Sequence, residues 1–297
     1  MGNRRGSAPS TPARKLSFLD LRSIYRRCEN LRFLLGSLRG KARQVVLALL
    51  LAFPAQAQTW STVRGPTSGP ARVIGGTGLG CIAGAVELPP EGPGYQAVRL
   101  SRNRNWGHPD LIRFVQSFAA RSGQDLWIGD LGQPRGGPMP TGHASHQAGI
   151  DVDIWLDLSR KPAMSRPARE SIPETSLVLP DQSAVDPARF TEAHARLIRL
   201  AAEAPGVERI FVNHGIKRSL CAMHSGEAWL HRVRPWYGHD SHMHVRLRCP
   251  AGSPDCRPGP PIPAGDGCDA GLDWWLSDAA RHPRLRPPGP RPQLPAA

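Results

Sequence analysis

Two stretches of the chain alternate apolar and polar residues with a period of two. In residues 150–157, Ile, Val, Ile and Leu alternate with Asp, Asp, Trp and Asp. In residues 242–249, Met, Val, Leu and Cys alternate with His, His, Arg and Arg. Successive side chains of a strand point to opposite faces, so both stretches predict strands. Asp151 and Asp153 then share one face of the first strand, and His242 and His244 share one face of the second.

Helical and shorter extended patterns occupy much of the remaining chain. The spacing of apolar residues predicts helices over residues 109–123, 190–204 and 272–280, and short strands over residues 126–128 and 207–212. Residues 58–94, 129–142, 158–188 and 250–267 contain many Gly, Pro and polar residues and predict irregular structure. Helices and strands mixed without a regular βαβ rhythm favour an α+β fold, a single domain with a central antiparallel sheet flanked by helices.

The N-terminal region has the pattern of an export signal. Lys41-Ala42-Arg43 precedes an apolar run over residues 45–53, which is followed by Pro54-Ala55-Gln56-Ala57. A basic segment, a short apolar segment and an Ala-x-Ala site are typical of a secretory signal peptide. The run is shorter than the roughly 20 residues that a permanent anchor needs. We therefore predict a signal peptide over 41–57, a periplasmic protein, and no stable membrane anchor after cleavage.

These features divide the chain into four segments. Residues 1–40 form a basic extension, which indicates either a translation start placed too far upstream or an unusually long leader. Residues 41–57 are the signal peptide and 58–280 the folded domain. Residues 281–297 are a Pro- and Arg-rich tail that we predict to be disordered.

Charge placement argues against a nucleic-acid partner. The net charge is +14, but residues 1–57 carry eleven basic residues against two acidic ones, and four more arginines lie in the tail. The body over 58–280 is close to neutral, at +1. Proteins that bind nucleic-acid phosphates need a dense basic face, and this body has no charge excess to build a large one.

Histidines and aspartates gather in two clusters. Five of the eleven histidines fall within residues 143–148 and 239–244, and the first predicted strand adds its aspartates. Imidazole and carboxylate are the ligands of catalytic Zn²⁺, which commonly takes three from the protein and leaves one position open. A zinc site is therefore the first hypothesis. Asp151 is a candidate for orienting a ligand histidine, and chance clustering is the alternative at this point.

Other hydrolase motifs are absent from the sequence. There is no Ser-x-x-Lys, no Gly-x-Ser-x-Gly elbow, no His-Glu-x-x-His helix, and no phosphate-binding Gly-rich loop followed by Lys. The cysteines form no Cys-x-x-Cys pair, and those after residue 57 number five. In an oxidising compartment four can pair and one is left over, but the sequence does not fix which ones.

Longer stretches give the chain a family resemblance. They are Gly107-His108-Pro109-Asp110-Leu111, Gly142-His143-Ala144-Ser145-His146-Gln147, Asp151-Val152-Asp153-Ile154, Arg209-Ile210-Phe211-Val212-Asn213, and residues 242–250. From about residue 70 to 275 the chain resembles the penicillin-insensitive murein endopeptidases, exported enzymes that cut peptide cross-links in peptidoglycan. These belong to a wider group of lysostaphin-like, D-Ala-D-Ala-cleaving and hedgehog-like zinc folds, whose pattern of His, six residues, Asp and a later His-x-His runs here from His146 to Asp153 and over residues 242–244.

The resemblance implies roles for these residues. Zn²⁺ would be held by His146, Asp153 and His244, with His143 a further metal-associated position. His242 would act as base or stabiliser of the tetrahedral intermediate, and His239 would assist. The implied activity is zinc-dependent hydrolysis of D-alanyl–meso-diaminopimelyl cross-links in the peptidoglycan substrate. The alternatives are a D,D-carboxypeptidase of the same fold and a non-catalytic peptidoglycan-binding protein.

The resemblance also implies two disulfides, Cys221–Cys268 and Cys249–Cys256. A third in the family would join Cys81 to a C-terminal cysteine that this chain lacks, so we expect Cys81 to be unpaired unless this end of the chain differs. Some members have an Asp-Gly-x-His stretch that can bind a second metal. The corresponding region, residues 181–186, lacks it. Nothing in the sequence indicates the oligomeric state.

Overall fold

The computed structural model describes residues 59–281, and eleven strands run through that part of the chain. In chain order they are β1 (Arg72–Gly76), β2 (Leu79–Ala83), β3 (Val86–Glu87), β4 (Glu91–Gly92), β5 (Tyr95–Ala97), β6 (Trp106–Gly107), β7 (Leu126–Ile128), β8 (Asp151–Trp155), β9 (Val207–Val212), β10 (Val233–Pro235) and β11 (His242–Leu247). Five helices accompany them: α1 (Pro109–Ser122), α2 (Glu192–Glu203), α3 (His214–His224), α4 (Ala270–Trp275) and α5 (Asp278–Arg281). The predicted α+β class is confirmed.

Seven of the strands form one sheet in the order β10-β9-β11-β8-β7-β5-β4. Among its four central strands, β9, β11, β8 and β7, each strand is antiparallel to its neighbour, as expected. The sheet as a whole is mixed, because β10 is parallel to β9 and β5 is parallel to β7. Both parallel pairs are joined through a helix, α3 and α1 respectively, since a parallel connection needs a crossover too long for a hairpin.

Local signals explain where the main helices begin and end. Pro109 occupies the first turn of α1, the ring of His108 accepts a hydrogen bond from the backbone of Asp110, and Gly123 ends the helix with a φ of 66°. Thr191 and His194 form a capping box at the start of α2. Helix α3, which the sequence pattern did not predict, begins at His214 and is capped by Asn213, whose side chain accepts a hydrogen bond from the backbone of Gly215.

The two faces of the central strands have different surroundings. Val152, Ile154, Met243 and Val245 are fully buried in the main hydrophobic core, together with the apolar sides of α1 and α2. The acidic and histidine side chains of β8 and β11 lie on the opposite face. That face is also largely inaccessible, because the loop over residues 129–149 lies against β8 and its backbone bonds to this strand. Charged side chains that are buried in this way need oppositely charged or hydrogen-bonding partners.

Residues 58–94 are more regular than predicted. Strands β1 and β2 pair as an antiparallel hairpin, with Arg72 opposite Ala83 and Gly76 opposite Leu79. The turn of this hairpin contacts the loop that carries the first histidine cluster, since Gln147 bonds to the backbone of Thr77 and Gly78. The Gly-rich sequence therefore builds a β-hairpin that supports the loop.

The two disulfides that the resemblance implied are both present. Cys221 bonds Cys268, and Cys249 bonds Cys256. The expectation that Cys81 is unpaired is wrong, because Cys81 is disulfide-bonded and no cysteine within residues 59–281 is free. The predicted signal peptide, the predicted basic extension and nearly all of the predicted tail lie outside the described residues. Between residues 59 and 281, no helix combines the length and apolarity needed to cross a membrane.

Candidate metal centre

A single carboxylate oxygen, Oδ1 of Asp153, is the point on which three histidines converge. It lies 3.4 Å from Nε2 of His146, 3.3 Å from Nδ1 of His244 and 3.8 Å from Nε2 of His242. The sheet register creates this arrangement, because His244 of β11 lies directly opposite Asp153 of β8 and His242 lies opposite Trp155. Side chains in directly opposed positions of an antiparallel pair are near neighbours.

Oxygen atoms face the outward ring nitrogens of His146 and His244, and that of His146 makes a hydrogen bond, whereas that of His244 is in ion-pair contact only. Nδ1 of His146 lies 2.7 Å from the carbonyl oxygen of Leu131, and a carbonyl can only accept, so Nδ1 carries the proton. Nε2 of His244 faces Oδ1 of Asp151 at 3.3 Å, which favours the proton on Nε2. In each ring the nitrogen directed at Asp153 is therefore the one with a free lone pair, as a metal ligand requires.

His143 is oriented in the same way from the loop. Its Nε2 lies 2.9 Å from Oδ2 of Asp130 and its Nδ1 lies 3.6 Å from Oδ2 of Asp153. Asp130 is itself paired with Arg104 at 2.8 Å. Burial would raise the pKa of Asp130, but the hydrogen bonds from His143 and Arg104 lower it. The carboxylate is therefore charged and fixes the direction of the His143 ring.

His242 contacts a carboxylate that was not predicted from the sequence. Its Nδ1 lies 3.5 Å from Oε2 of Glu174 and 3.2 Å from Oγ of Ser241. Glu174 accepts a hydrogen bond from Ser241 at 2.6 Å and one from Arg99 at 2.5 Å. The hydrogen bonds to His242 and then to Ser241 and Arg99 lower the pKa of Glu174 to about 2, although burial opposes this.

His239 lies beside His242 and His244, and its ring is neutral near pH 7. Its ring centroid is 5.0 Å from that of His242 and 5.7 Å from that of His244. Burial, followed by repulsion from His242 and His244, lowers the pKa of His239 to about 3. Its Nδ1 donates to the carbonyl of Tyr237 at 2.6 Å, so the neutral ring has its lone pair on Nε2.

Asp151 and Arg246 form a buried ion pair beneath the centre. Nε of Arg246 lies 2.8 Å from Oδ1 of Asp151, and Oδ2 of Asp151 accepts from the backbone N–H of His146 at 3.0 Å. Burial of Asp151 would raise its pKa, but Arg246 and then His244 hold it well below the ordinary value. One carboxylate thus positions both the loop histidine and the strand histidine.

Two residues of the site adopt a backbone conformation that non-glycine residues rarely occupy. The φ angles of His146 and His239 are 66° and 55°, in the left-handed region. Such conformations cost about 1–3 kcal/mol each and persist where surrounding contacts enforce them. At His146 those contacts are the bonds to Leu131 and Asp151 described above.

The donor set fits a metal ion. Nε2 of His146 and Oδ1 of Asp153 are buried and have no hydrogen-bond partner, which is costly unless a further group satisfies them. Possible ligand atoms of His143, His146 and Asp153 all lie within 4.8 Å of one another. Burial alone would raise the pKa of Asp153, but His146 and His242 hold it well below the ordinary value. A cation would satisfy both orphaned atoms.

All six predicted site residues meet here, and three supporting groups were not predicted. The role suggested for Asp151 agrees with its contact to His244. Asp130, Glu174 and the carbonyl of Leu131 were missed. Asp130 lies two residues after the end of a predicted strand and could have been considered for that reason, whereas Glu174 lies in a polar segment with no distinguishing pattern.

Comparisons with known proteins agree with this geometry. Residues 73–297 match a family model described as penicillin-insensitive murein endopeptidase. A protein of that name from Haemophilus influenzae is 42% identical over 246 residues, covering 78% of this chain and 85% of the relative. The Klebsiella pneumoniae protein of the same name is 44% identical and covers 78% and 86%. The Salmonella paratyphi C protein of that name is 41% identical and covers 84% and 95%.

Proposed function

The chain belongs to the penicillin-insensitive murein endopeptidase family, and on this premise we propose that it is a zinc-dependent hydrolase of peptidoglycan cross-links. The bond we assign is the D-alanyl–meso-diaminopimelyl amide. The observation that carries the proposal is the buried Oδ1 of Asp153, which has no hydrogen-bond partner and faces three histidine nitrogens.

We assign Zn²⁺ to His146, Asp153 and His244, with His143 at a further metal-associated position. Imidazole and carboxylate donors suit zinc better than they suit Ca²⁺ or Mg²⁺. When bound, zinc supplies Lewis acidity that polarises a carbonyl and acidifies a water, so that no protein nucleophile is needed. The nitrogens of His146 and His244 that face Asp153 support this assignment.

The same geometry supports the role proposed for His242. Its Nδ1 is held by Glu174 and Ser241, so Nε2 is free to accept a proton from the attacking water and to return it to the leaving amine. The neutral Nε2 of His239 is a hydrogen-bond acceptor beside it. Proton transfer by His242, with His239 assisting, is consistent with the positions of the two rings.

A serine mechanism is less compatible with the site. Oγ of Ser241 lies 3.2 Å from His242, which resembles a nucleophile and its base. That hydroxyl donates to Glu174 at 2.6 Å, and Ser241 is only 6% exposed. It approaches Nδ1, the ring nitrogen directed away from Asp153, so a substrate at the cluster cannot reach it. β-Lactams act by acylating a serine, and insensitivity to them follows.

The proposed substrate places the protein outside the cytoplasm. We propose periplasmic residence, with export through residues 41–57 and a mature domain over 58–280. The two disulfides within the described domain support an oxidising compartment.

Digestion of purified sacculi, with products separated and weighed by mass spectrometry, tests the proposal. We expect cross-linked muropeptide dimers to become monomers, and a chelator to stop the reaction. Loss of terminal D-Ala without dimer cleavage would instead identify a D,D-carboxypeptidase. Full cleavage in the presence of chelator, or purified protein without stoichiometric zinc, contradicts the metal assignment, and binding without any cleavage indicates a non-catalytic wall-binding protein.

A further inference from the structure

Exposed aromatic side chains form a patch next to the metal centre. Among residues 59–281, five large hydrophobic side chains are exposed, and three of them are Trp236, Tyr237 and Trp274, at 48%, 37% and 45%. With the half-buried Trp275 they form what we call the aromatic patch. Single exposed apolar residues are ordinary, but a contiguous group marks an interaction surface.

The rings of the patch contact one another at an angle. The centroid of Trp275 lies 5.6 Å from Trp236, 4.8 Å from Tyr237 and 5.2 Å from Trp274, with interplanar angles of 47°, 58° and 84°. The rings are tilted or edge-to-face rather than stacked, and about half of the surface of Trp236 and Trp274 remains exposed and open to a ligand.

The patch is continuous with the catalytic residues. The Trp236 ring lies 5.7 Å from that of Phe211, which lies 5.4 Å from His244. The carbonyl of Tyr237 accepts the hydrogen bond that fixes His239. The patch therefore adjoins the metal centre.

Two independent restraints hold the patch in place. The backbone N–H of Trp236 donates to the carbonyl of Val212 at 2.9 Å, which fixes it to β9. Helix α4, which carries Trp274 and Trp275, begins two residues after Cys268, and the disulfide from Cys268 to Cys221 ties it to α3. The aromatic side chains are thus presented by anchored elements, which lowers the entropy lost on binding.

We propose that the aromatic patch binds the glycan strand of peptidoglycan, and so recognises the polymer to which the cleaved peptides are attached. The face of an aromatic ring is electronegative, and the C–H groups of a pyranose ring are weakly positive, so the two stack. This inference rests on the proposed function: a substrate whose peptide lies at the metal centre carries its sugars nearby. An anionic membrane is a poorer ligand for the aromatic patch, because acidic side chains repel it. Helix α4 has Asp269 at its start, Asp273 in its first turn and no basic residue in its last turn.

The double variant W236A/W274A tests the glycan contact with two substrates. One is intact sacculi, and the other is the cross-linked peptide dimer released by an amidase, which has no sugar. We expect kcat/KM on sacculi to fall about tenfold, since each aromatic contact contributes a factor of about three. Cleavage of the sugar-free dimer and zinc content should be unchanged. Met223→Ala is the matched control, because Met223 is 40% exposed and lies outside the patch.

Binding is measured separately by isothermal titration calorimetry, which needs no tryptophan as reporter, with peptide-free glycan strands as the probe. The proposal is supported if the wild type binds the glycan saturably and W236A/W274A does not. This holds even if the protein cleaves neither substrate, so failure of the proposed function can be distinguished from failure of the glycan proposal. Equal loss of activity on both substrates, unchanged activity on sacculi, or wild type that does not bind glycan overturns it. If the wild-type protein is a dimer in solution and W236A/W274A is a monomer, the patch is an interface between two copies of the chain, and this result also overturns the proposal.

Discussion

Glu174 lies 3.5 Å from Nδ1 of His242 and connects that histidine to two further side chains. Its carboxylate accepts from Ser241 at 2.6 Å and from Arg99 at 2.5 Å. Arg99 in turn stacks over the ring of Trp155 at 4.8 Å, next to Asp153 on β8. The carboxylate is therefore fixed, and through it the ring of His242 is held with Nε2 toward Asp153.

Glu174→Gln should reduce turnover without releasing the metal. The amide keeps the size of the side chain but removes the charge that orients His242, and a hydrogen bond to a charged group is worth about 1.5–3 kcal/mol. We expect kcat to fall about tenfold or more, with KM and zinc content unchanged. Steady-state kinetics on the sugar-free peptide dimer, together with metal analysis, measures both.

Glu170→Gln is the matched control for this variant. Glu170 belongs to the same polar segment, but it bonds to the backbone and hydroxyl of Ser101 rather than to a site histidine. Its kinetics should equal those of the wild type. If both variants lose activity equally, the effect comes from disturbance of the segment and not from the contact with His242.

The two histidines of β11 should separate catalysis from metal binding. We expect His242→Ala to lose most turnover while retaining zinc, and His244→Ala to lose the metal, because His244 faces Asp153 with a free lone pair. Metal at a thousandfold its dissociation constant stabilises a protein by about 4 kcal/mol. A chelator should therefore lower the melting temperature of wild type and His242→Ala but leave His244→Ala unchanged. Loss of zinc from His242→Ala would show that this division of roles is wrong.

The strand pattern was sufficient to predict the centre of the fold. Alternation placed Asp153 and His244 on defined faces, and both strands, the first two helices and the short strands over 126–128 and 207–212 appear close to the predicted positions. A period of two is a strong signal where one face is apolar. The two parallel strand pairs, β10 with β9 and β5 with β7, were not predicted, because β10 and β5 have only three residues each.

The supporting groups could not be read from the sequence for a physical reason. Glu174 reaches His242 through the tertiary path of the segment over 158–188, and the Leu131 contact uses a backbone carbonyl, which any residue would supply. The histidine clusters were visible because several ligand-type side chains lie close together in sequence. A single carboxylate that acts from a distant loop leaves no such pattern.

The buried Asp151–Arg246 pair should be essential for stability. Asp151 is fully buried, and removing one partner of a buried ion pair costs about 3–5 kcal/mol because it leaves an uncompensated charge. We expect Arg246→Met to lower the free energy of unfolding in urea by about 3 kcal/mol, measured with chelator present. The exposed Arg248 provides the control, and Arg248→Met should change the stability by less than about 0.5 kcal/mol.

The double variant D151N/R246M distinguishes charge from packing. Because it removes the unpaired charge, it should be more stable than Arg246→Met alone. If the loss of unfolding free energy in the double variant equals the sum of the losses in D151N and R246M, the pair contributes through packing and not through charge compensation.

Lys217 should make stability rise with pH in the alkaline range. It is fully buried, and its Nζ donates to the carbonyl oxygens of Leu230 at 3.0 Å and Asp266 at 2.6 Å. Burial, with repulsion from Arg234, lowers the pKa of Lys217 to about 8. Between about pH 8 and the ordinary lysine value of about 10.4, the unfolded chain holds a proton that the folded chain has released. Unfolding then takes up a proton, so the free energy of unfolding increases as pH rises through this window.

The comparison with Lys217→Met isolates this contribution. Other titrating groups are common to both proteins, so the wild-type free energy of unfolding minus that of the variant should grow by about 3 kcal/mol between pH 8 and 10.5, at about 1.4 kcal/mol per pKa unit. Denaturant unfolding of the oxidised proteins at intervals of half a pH unit measures the difference. Below pH 8 the difference should be constant, because both states are protonated there. A difference that is flat across the alkaline window, or that falls with pH, would show that Lys217 is charged in the folded protein at every pH tested.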